Sequence, residues 1–155
     1  PRASTPSRRL DAIARLTDTG IPVGVFTSPL IPALNDGELE HILAAAKAAG
    51  ADTASYVMLR LPLEVRDLFV QWLEQNVPLR AQHVMNQVRQ MRGGKDYDAD
   101  FKVRMRGTGV YADMIAQRFK MATRKLGLSP ERKAMDITRF RVPVQHEAQQ
   151  DLFGR

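Results

Sequence analysis

The sequence predicts an α/β fold: one βαβ unit with parallel strands, followed by a mainly α-helical extension. Three observations predict it. Ile21 to Phe26 is a short apolar run that stops at Thr27-Ser28-Pro29. From Asn35 a helix is expected, with Leu39, Ile42, Leu43 and Ala46 at i, i+3, i+4 and i+7, ending at Gly50. Ala54 to Leu61 is a second apolar run, closed by Pro62. A helix between two apolar strands implies a right-handed crossover and therefore parallel pairing. Ligands of such folds sit at the carboxyl ends of the strands, here Thr27 to Asn35 and Arg60 to Leu63.

Before this unit, Ser7 to Thr19 reads as a helix capped by Ser7, with Leu10, Ile13 and Ala14 on one face and Gly20 as its stop. In the crossover helix, Asn35 and Glu38 have capping-box spacing, and Asp36, Glu38 and Glu40 put negative charge at the positive end of the helix dipole. Pro62 suits the first turn of a third helix, on which Val65, Leu68, Phe69, Trp72 and Leu73 form an apolar stripe assigned to the core. Pro78 is expected to end it. Leu79 to Met91 is then a fourth helix with Val84, Val88 and Met91 on one side.

Arg92 to Gly109 has no period and reads as a long loop, of the kind that in compact domains carries function or disorder. Thr108 is expected to cap a fifth helix to Leu126, with Tyr111, Ile115, Phe119, Ala122 and Leu126 on one face and Gly127 as its stop. A short helix from Ser129-Pro130-Glu131 and an extended Thr138 to Val144 complete the reading, ahead of a polar tail. Two parallel strands do not make a stable sheet alone. Further strands are expected from the segment near Arg139, from an absent N-terminal part, or from another subunit.

The 155 residues suit one ordinary domain, and 44% hydrophobic with 26% charged residues is a globular composition. No apolar run is long enough to span a membrane, and the start is not a signal peptide. Zero cysteines excludes disulfides, thiolate metal sites and cysteine nucleophiles, which fits a cytoplasmic protein. The chain starts at Pro1 rather than Met, so a piece of a longer polypeptide is expected. Residues 1–79 hold 7 Lys and Arg against 9 Asp and Glu, a net −2, while the remainder hold 16 against 8, a net +8. That asymmetry points to a polyanion partner for the second half, nucleic acid foremost, with Arg89, Arg92, Lys95, Lys102, Arg104 and Arg106 as the contacts.

Ser28, Asn35 and Arg60 are the leading site candidates, because each lies at or just past a strand's carboxyl end; Phe26 and Thr27 are cofactor-contact candidates beside them. Asn35 also suits a helix cap. A guanidinium inside an apolar strand needs a partner, so Arg60 is either functional or paired with Glu64 or Asp67. His41, His83 and His146 lack metal-ligand spacing, so no metal site is expected. No nucleophile elbow supports a Ser-His-Asp triad. Gly93-Gly94-Lys95 lacks the full P-loop spacing and reads as a turn.

Several segments together resemble one family. They are Arg2-Ala3-Ser4-Thr5-Pro6, Arg9-Leu10, Gly20-Ile21-Pro22-Val23-Gly24-Val25, Pro29-Leu30-Ile31-Pro32-Ala33-Leu34-Asn35-Asp36 and Tyr56-Val57-Met58-Leu59-Arg60-Leu61-Pro62. They resemble the later barrel half of radical SAM proteins of the DNA repair photolyase-like group, related to spore photoproduct lyase. Arg92-Gly93-Gly94-Lys95 and Arg104-Met105-Arg106-Gly107 are similar to that group's C-terminal extension. Ala33 stands where the family commonly has Gly.

The resemblance implies the C-terminal part of a lyase-like enzyme whose [4Fe–4S] cluster and S-adenosylmethionine are handled by an N-terminal half, with this chain inactive alone. It further implies that the two strands are the fifth and sixth of a partial (β/α) barrel, with Phe26, Thr27, Ser28, Asn35 and Arg60 facing the cofactor and substrate cavity. Residues 1–78 would be barrel, 79–144 a basic helical extension and 145–155 a flexible tail. The alternative is a non-catalytic basic helical module that binds nucleic acid or protein. Self-association is a further expectation for an incomplete sheet. The tail Gln149-Gln150-Asp151-Leu152-Phe153 resembles the bacterial sliding-clamp-binding peptide, with Leu152 and Phe153 as apolar anchors and Gln149 fixing register.

Overall fold

The computed structural model of the chain describes residues 3–101, 103–129, 131, 134 and 136–142. Among the described residues it is an α/β structure with five α-helices and one two-stranded parallel sheet. The order is α1 (Pro6–Asp18), β1 (Gly24–Leu30), α2 (Leu39–Ala48), β2 (Thr53–Met58), α3 (Val65–Asn76), α4 (Pro78–Gln90) and α5 (Val110–Leu126). Short 3-10 turns lie at Asp36–Glu38 and Ile137–Arg139. No helix among the described residues is long and apolar enough to cross a membrane.

The βαβ unit forms as predicted. Gly24 pairs with Thr53 in a register running to Thr27 against Tyr56, then resumes at Leu30 against Met58 after an irregular step. β1 starts later than expected and continues through Thr27-Ser28-Pro29, because Pro29 falls in the irregular step, where the ladder asks for no N–H. β2 ends at Met58 rather than Leu61. Beyond it, Leu59 N still donates to Leu30 O at 2.8 Å before the chain turns away at Pro62.

The two sheet edges differ. The outer edge of β2 is closed by later segments: Ala54 N donates to Ser129 O at 3.0 Å, Ser129 N to Asp52 O at 2.8 Å, and Met58 N to Met105 O at 2.9 Å. This replaces two expectations. Ser129 spends its backbone on the strand edge, and no helix forms among the described residues between Leu128 and Asp136. Ile137–Arg139 is a 3-10 turn capped by the Asp136 carboxylate, which accepts from Thr138 N at 3.0 Å, so it is not an extended segment. On the outer edge of β1, no backbone group of residues 24–28 bonds outside the β1–β2 ladder among the described residues.

One sheet face is packed. Ala54, Tyr56 and Met58 of β2 meet Leu39, Leu43 and Ala46 of α2 and Ile115, Phe119 and Ala122 of α5 in one buried cluster. The Tyr56 and Phe119 ring centroids lie 4.7 Å apart. Residues on both sides of position 78 thus share this core. A second cluster joins Leu59 and Leu61 to Leu73 of α3 and Val84, Met85 and Val88 of α4.

Helix ends depart from the predicted caps. Thr5, not Ser7, caps α1, accepting from Arg8 N, because Pro6 already occupies the first turn. α3 begins at Val65 rather than Pro62, after a turn in which Val65 N donates to Pro62 O. Pro78 starts α4, its fixed φ and missing N–H being suited to a first turn. Gly109, at φ 87, precedes α5 with no side-chain cap from Thr108, while Gly127 ends it in the left-handed region as expected. The α3 stripe is only partly core: Leu73 is buried and Phe69 half-buried, whereas Val65, Leu68 and Trp72 are exposed.

Leu43 has no exposed surface. Leu43→Ala is expected to cost about 2–5 kcal/mol, read as a lower urea midpoint with an unchanged slope.

Candidate functional site

At the carboxyl end of β1, residues 31–36 are stitched by one side chain. Asn35 Oδ1 accepts from Ile31 N at 2.7 Å, and its Nδ2 donates to Pro29 O at 3.1 Å. The capping box with Glu38 does not form: Asn35 makes no side-chain cap bond, because its amide is already committed to this loop. Inside the loop Ala33 adopts φ 56, the left-handed conformation that favours glycine. The Tyr111 hydroxyl accepts from Ala33 N at 3.2 Å and donates to Asp36 Oδ2 at 2.6 Å. Arg118, two turns along α5, binds both Glu40 oxygens at 2.8 and 2.6 Å and donates to Asp36 O at 3.0 Å. That bond holds the Glu40 carboxyl below its usual range.

The candidates on β1 divide between the faces. Thr27 is buried toward the helices, and its hydroxyl donates to Ser55 O at 3.1 Å. Phe26, at 58% exposure, and the exposed Ser28 lie on the other, open face of the strand.

The carboxyl end of β2 is organised by arginines. Arg92, directly after α4, is only 2% exposed, yet it forms no salt bridge among the described residues. Its Nη1 donates to Val103 O at 2.6 Å and its Nη2 to Leu59 O at 3.0 Å. It therefore ties the long loop to the end of β2. Burial holds its pKa below the ordinary arginine value, with Asp98 opposing and Arg60 reinforcing that shift. Arg60 does not pair with Glu64 or Asp67. Its Nη2 donates to the Tyr97 hydroxyl at 3.4 Å, its Nη1 faces Met105 Sδ at 4.0 Å, and its buried Nε has no partner. The Arg104 guanidinium sits 4.5 Å over the Phe101 ring, also with a buried, unpartnered Nε. The Arg106 guanidinium sits 3.7 Å over Tyr56. Gly107, at φ 75, lets the loop close on α4: a Cβ there would meet Met91 Cβ at 3.0 Å and Met91 O at 3.2 Å.

The other predicted cationic contacts separate by environment. Arg89 is not a free surface charge: its Nε bonds Asp96 Oδ1 at 2.6 Å, while Arg66 Nε takes Oδ2 at 2.8 Å. Arg92 is an interior tie rather than a surface phosphate contact, because it is buried and its Nη1 and Nη2 bond the carbonyls of Val103 and Leu59. Lys95 is exposed. Lys102, Gln149, Leu152 and Phe153 lie outside the described residues. Tyr97, Asp96, Tyr111 and Arg118 are site residues that sequence reasoning passed over. The available signal was the seven-residue spacing of Tyr111 and Arg118, which puts two polar groups on one side of a helix with an apolar face. No group of three or more His, Cys, Asp and Glu residues able to hold a metal occurs among the described residues.

Two outcomes follow from these contacts. Arg92→Met removes the guanidinium donor of Leu59 O, at about 1–3 kcal/mol, while Val103 O keeps Gly107 N at 2.7 Å. Chemical denaturation is expected to report that loss, together with faster amide exchange at Met58. The Tyr111 hydroxyl is pushed up to about 12 by burial, and further by the Asp36 carboxylate that accepts its proton. The folded state thus holds this proton more tightly than the unfolded chain. The resulting stability is fully present below pH 10.0, the ordinary tyrosine value, and is lost as pH rises through about 12. Subtracting the alkaline tyrosinate titration of Tyr111→Phe from that of the native chain is expected to leave one step near that upper value. No family model, no curated protein and no solved structure matches this chain.

Proposed function

We propose that this chain is part of a larger (β/α) barrel enzyme of the radical SAM type that acts on nucleic acid or another anionic substrate. In this reading β1 and β2 contribute two barrel strands, and their carboxyl-end loops line the substrate cavity. The observation that carries it is the asymmetry of the sheet. Helices α2 and α5 cover one face and later segments close the outer edge of β2, whereas, among the described residues, Phe26, Ser28 and the outer edge of β1 over residues 24–28 stay open. Parallel sheets are covered on both faces and do not leave long free edges in water, so an open edge and face together mark where further strands pair. The radical SAM component rests on the sequence resemblance.

A [4Fe–4S] cluster in such an enzyme supplies the electron that cleaves S-adenosylmethionine. Its thiolate ligands do not fit this chain, which has no cysteine, so they would come from another part of the enzyme and no reaction step is assigned to residues here. The chain's own contribution would be to line the cavity through the loops at Asn35 and Arg60 and to grip the substrate through its basic second half.

The polypeptide as encoded in its source, reconstituted anaerobically with iron and sulfide and reduced with dithionite, is expected to cleave S-adenosylmethionine. Its β1 amides are expected to exchange more slowly than those of the 155-residue chain alone. Absence of both cleavage and added protection would overturn the reading. A non-catalytic nucleic-acid-binding module is the second reading, favoured by the arginines that lack carboxylate partners; DNA binding without cofactor cleavage would select it.

A further inference from the structure

We propose that Arg60 and Arg104, at the carboxyl end of β2, form a binding site for a phosphate group, held in shape by Arg92 and Tyr97. The proposal rests on the reading above that this end of the sheet receives an anionic substrate.

The partition of the arginines carries it. Arg66 and Arg89 share Asp96, and Arg118 is bound by Glu40 and Asp36. These cations are neutralised where they stand. Arg60 and Arg104 make no ion pair among the described residues, and each keeps a buried Nε–H with no acceptor. A buried, unanswered guanidinium donor is costly, because desolvation is lost without a bond in return. An acceptor from outside the chain, an ordered water or a ligand, is what answers such donors.

The surroundings hold the two side chains rather than neutralise them. Arg60 is steadied by the Tyr97 hydroxyl and Met105 Sδ, and Arg104 by the face of Phe101. Neither contact removes positive charge. Arg92 binds Val103 O and Leu59 O, which fixes the segment carrying Arg104 and Met105 against the residue preceding Arg60. Its own charge adds to the local positive potential, partly offset by Asp98. A planar guanidinium fork matches phosphate oxygens in pairs, and two forks without carboxylates favour phosphate over a single neutral acceptor. The phosphate can belong to a nucleic-acid backbone or be free.

The test uses the full chain with two probes: inorganic phosphate, against chloride at equal ionic strength, and a short single-stranded DNA. Phosphate is expected to raise the Tm of the native chain. Arg60→Gln and Arg104→Gln are each expected to lose that rise and to bind the oligonucleotide roughly tenfold or more weakly. Each lost phosphate contact lowers the salt slope by about 0.7. Arg60→Lys, which keeps the charge but not the fork, should preserve the slope while weakening affinity. Circular dichroism checks that each variant folds, and Arg104→Gln, lying in a loop, covers the case in which Arg60→Gln does not. Native-like phosphate response in both folded glutamine variants would overturn the site, as would no response in the native chain. A phosphate response lost in the variants, with no DNA binding by the native chain, would keep the phosphate site and remove nucleic acid as its source. DNA binding that both variants retain, with no phosphate response, would remove the site and leave the nucleic-acid reading standing.

Discussion

Arg92 is the contact on which the carboxyl end of the sheet depends. Its guanidinium, buried where α4 ends, answers one carbonyl from the end of β2 and one from the long loop. Burying a cation is expensive, and charge-assisted bonds to two buried carbonyls offset that expense only when both are made. The arrangement is therefore cooperative. Release of Leu59 O leaves a buried charge short of an acceptor and a buried carbonyl short of that donor, whereas Val103 O keeps the N–H of Gly107. In place, it makes a segment without regular secondary structure behave as part of the sheet, and Met105 O can then accept from Met58 N on the strand edge.

That edge bond sets the asymmetry of the whole unit. Parallel pairing leaves each strand's outward N–H and C=O groups to find partners beyond the pair. β2 finds them in Ser129 and Met105, segments far along the chain, while residues 24–28 of β1 find none among the described residues. The packed face follows the same division. Tyr56 and Met58 alternate into a core with α2 and α5, and the opposite face presents Phe26 to solvent. The outer edge of β1 over residues 24–28 and the exposed Phe26 are the features from which the proposal of a larger barrel is drawn.

Charge is organised by the same logic. On α3 and α4, two arginines converge on one carboxylate, Asp96, and on α5 Arg118 is held by Glu40 and Asp36. These pairs hold Arg66, Arg89 and Arg118 as structure. What remains near the carboxyl end of β2 is arginine steadied by aromatic rings, a hydroxyl and sulfur, partners that orient a cation without discharging it. The net charge of the second half thus overstates the free charge of its surface and understates how concentrated it is.

The sequence by itself determined the βαβ unit, the helix periods and the stop at Gly127, because these depend on spacing and local chemistry that a linear reading sees. It also put Asn35 and Arg60 near the carboxyl ends of the strands, although β1 runs on to Leu30 and β2 stops at Met58, leaving both residues beyond the strands. Their partners were not legible. Asn35 stitches its own loop instead of capping a helix, since the 3-10 turn at Asp36–Glu38 intervenes. Arg60 meets Tyr97 and Met105, residues 37 and 45 positions away, rather than the nearby acids that sequence proximity suggested. Only the tertiary structure decided which arginines are paired, buried or left open, and that Ser129 rather than the Arg139 region closes the strand edge. A charge's role depends on which groups lie within a few ångströms of it, and those contacts are set by chain closure over long separations, which local periodicity does not encode.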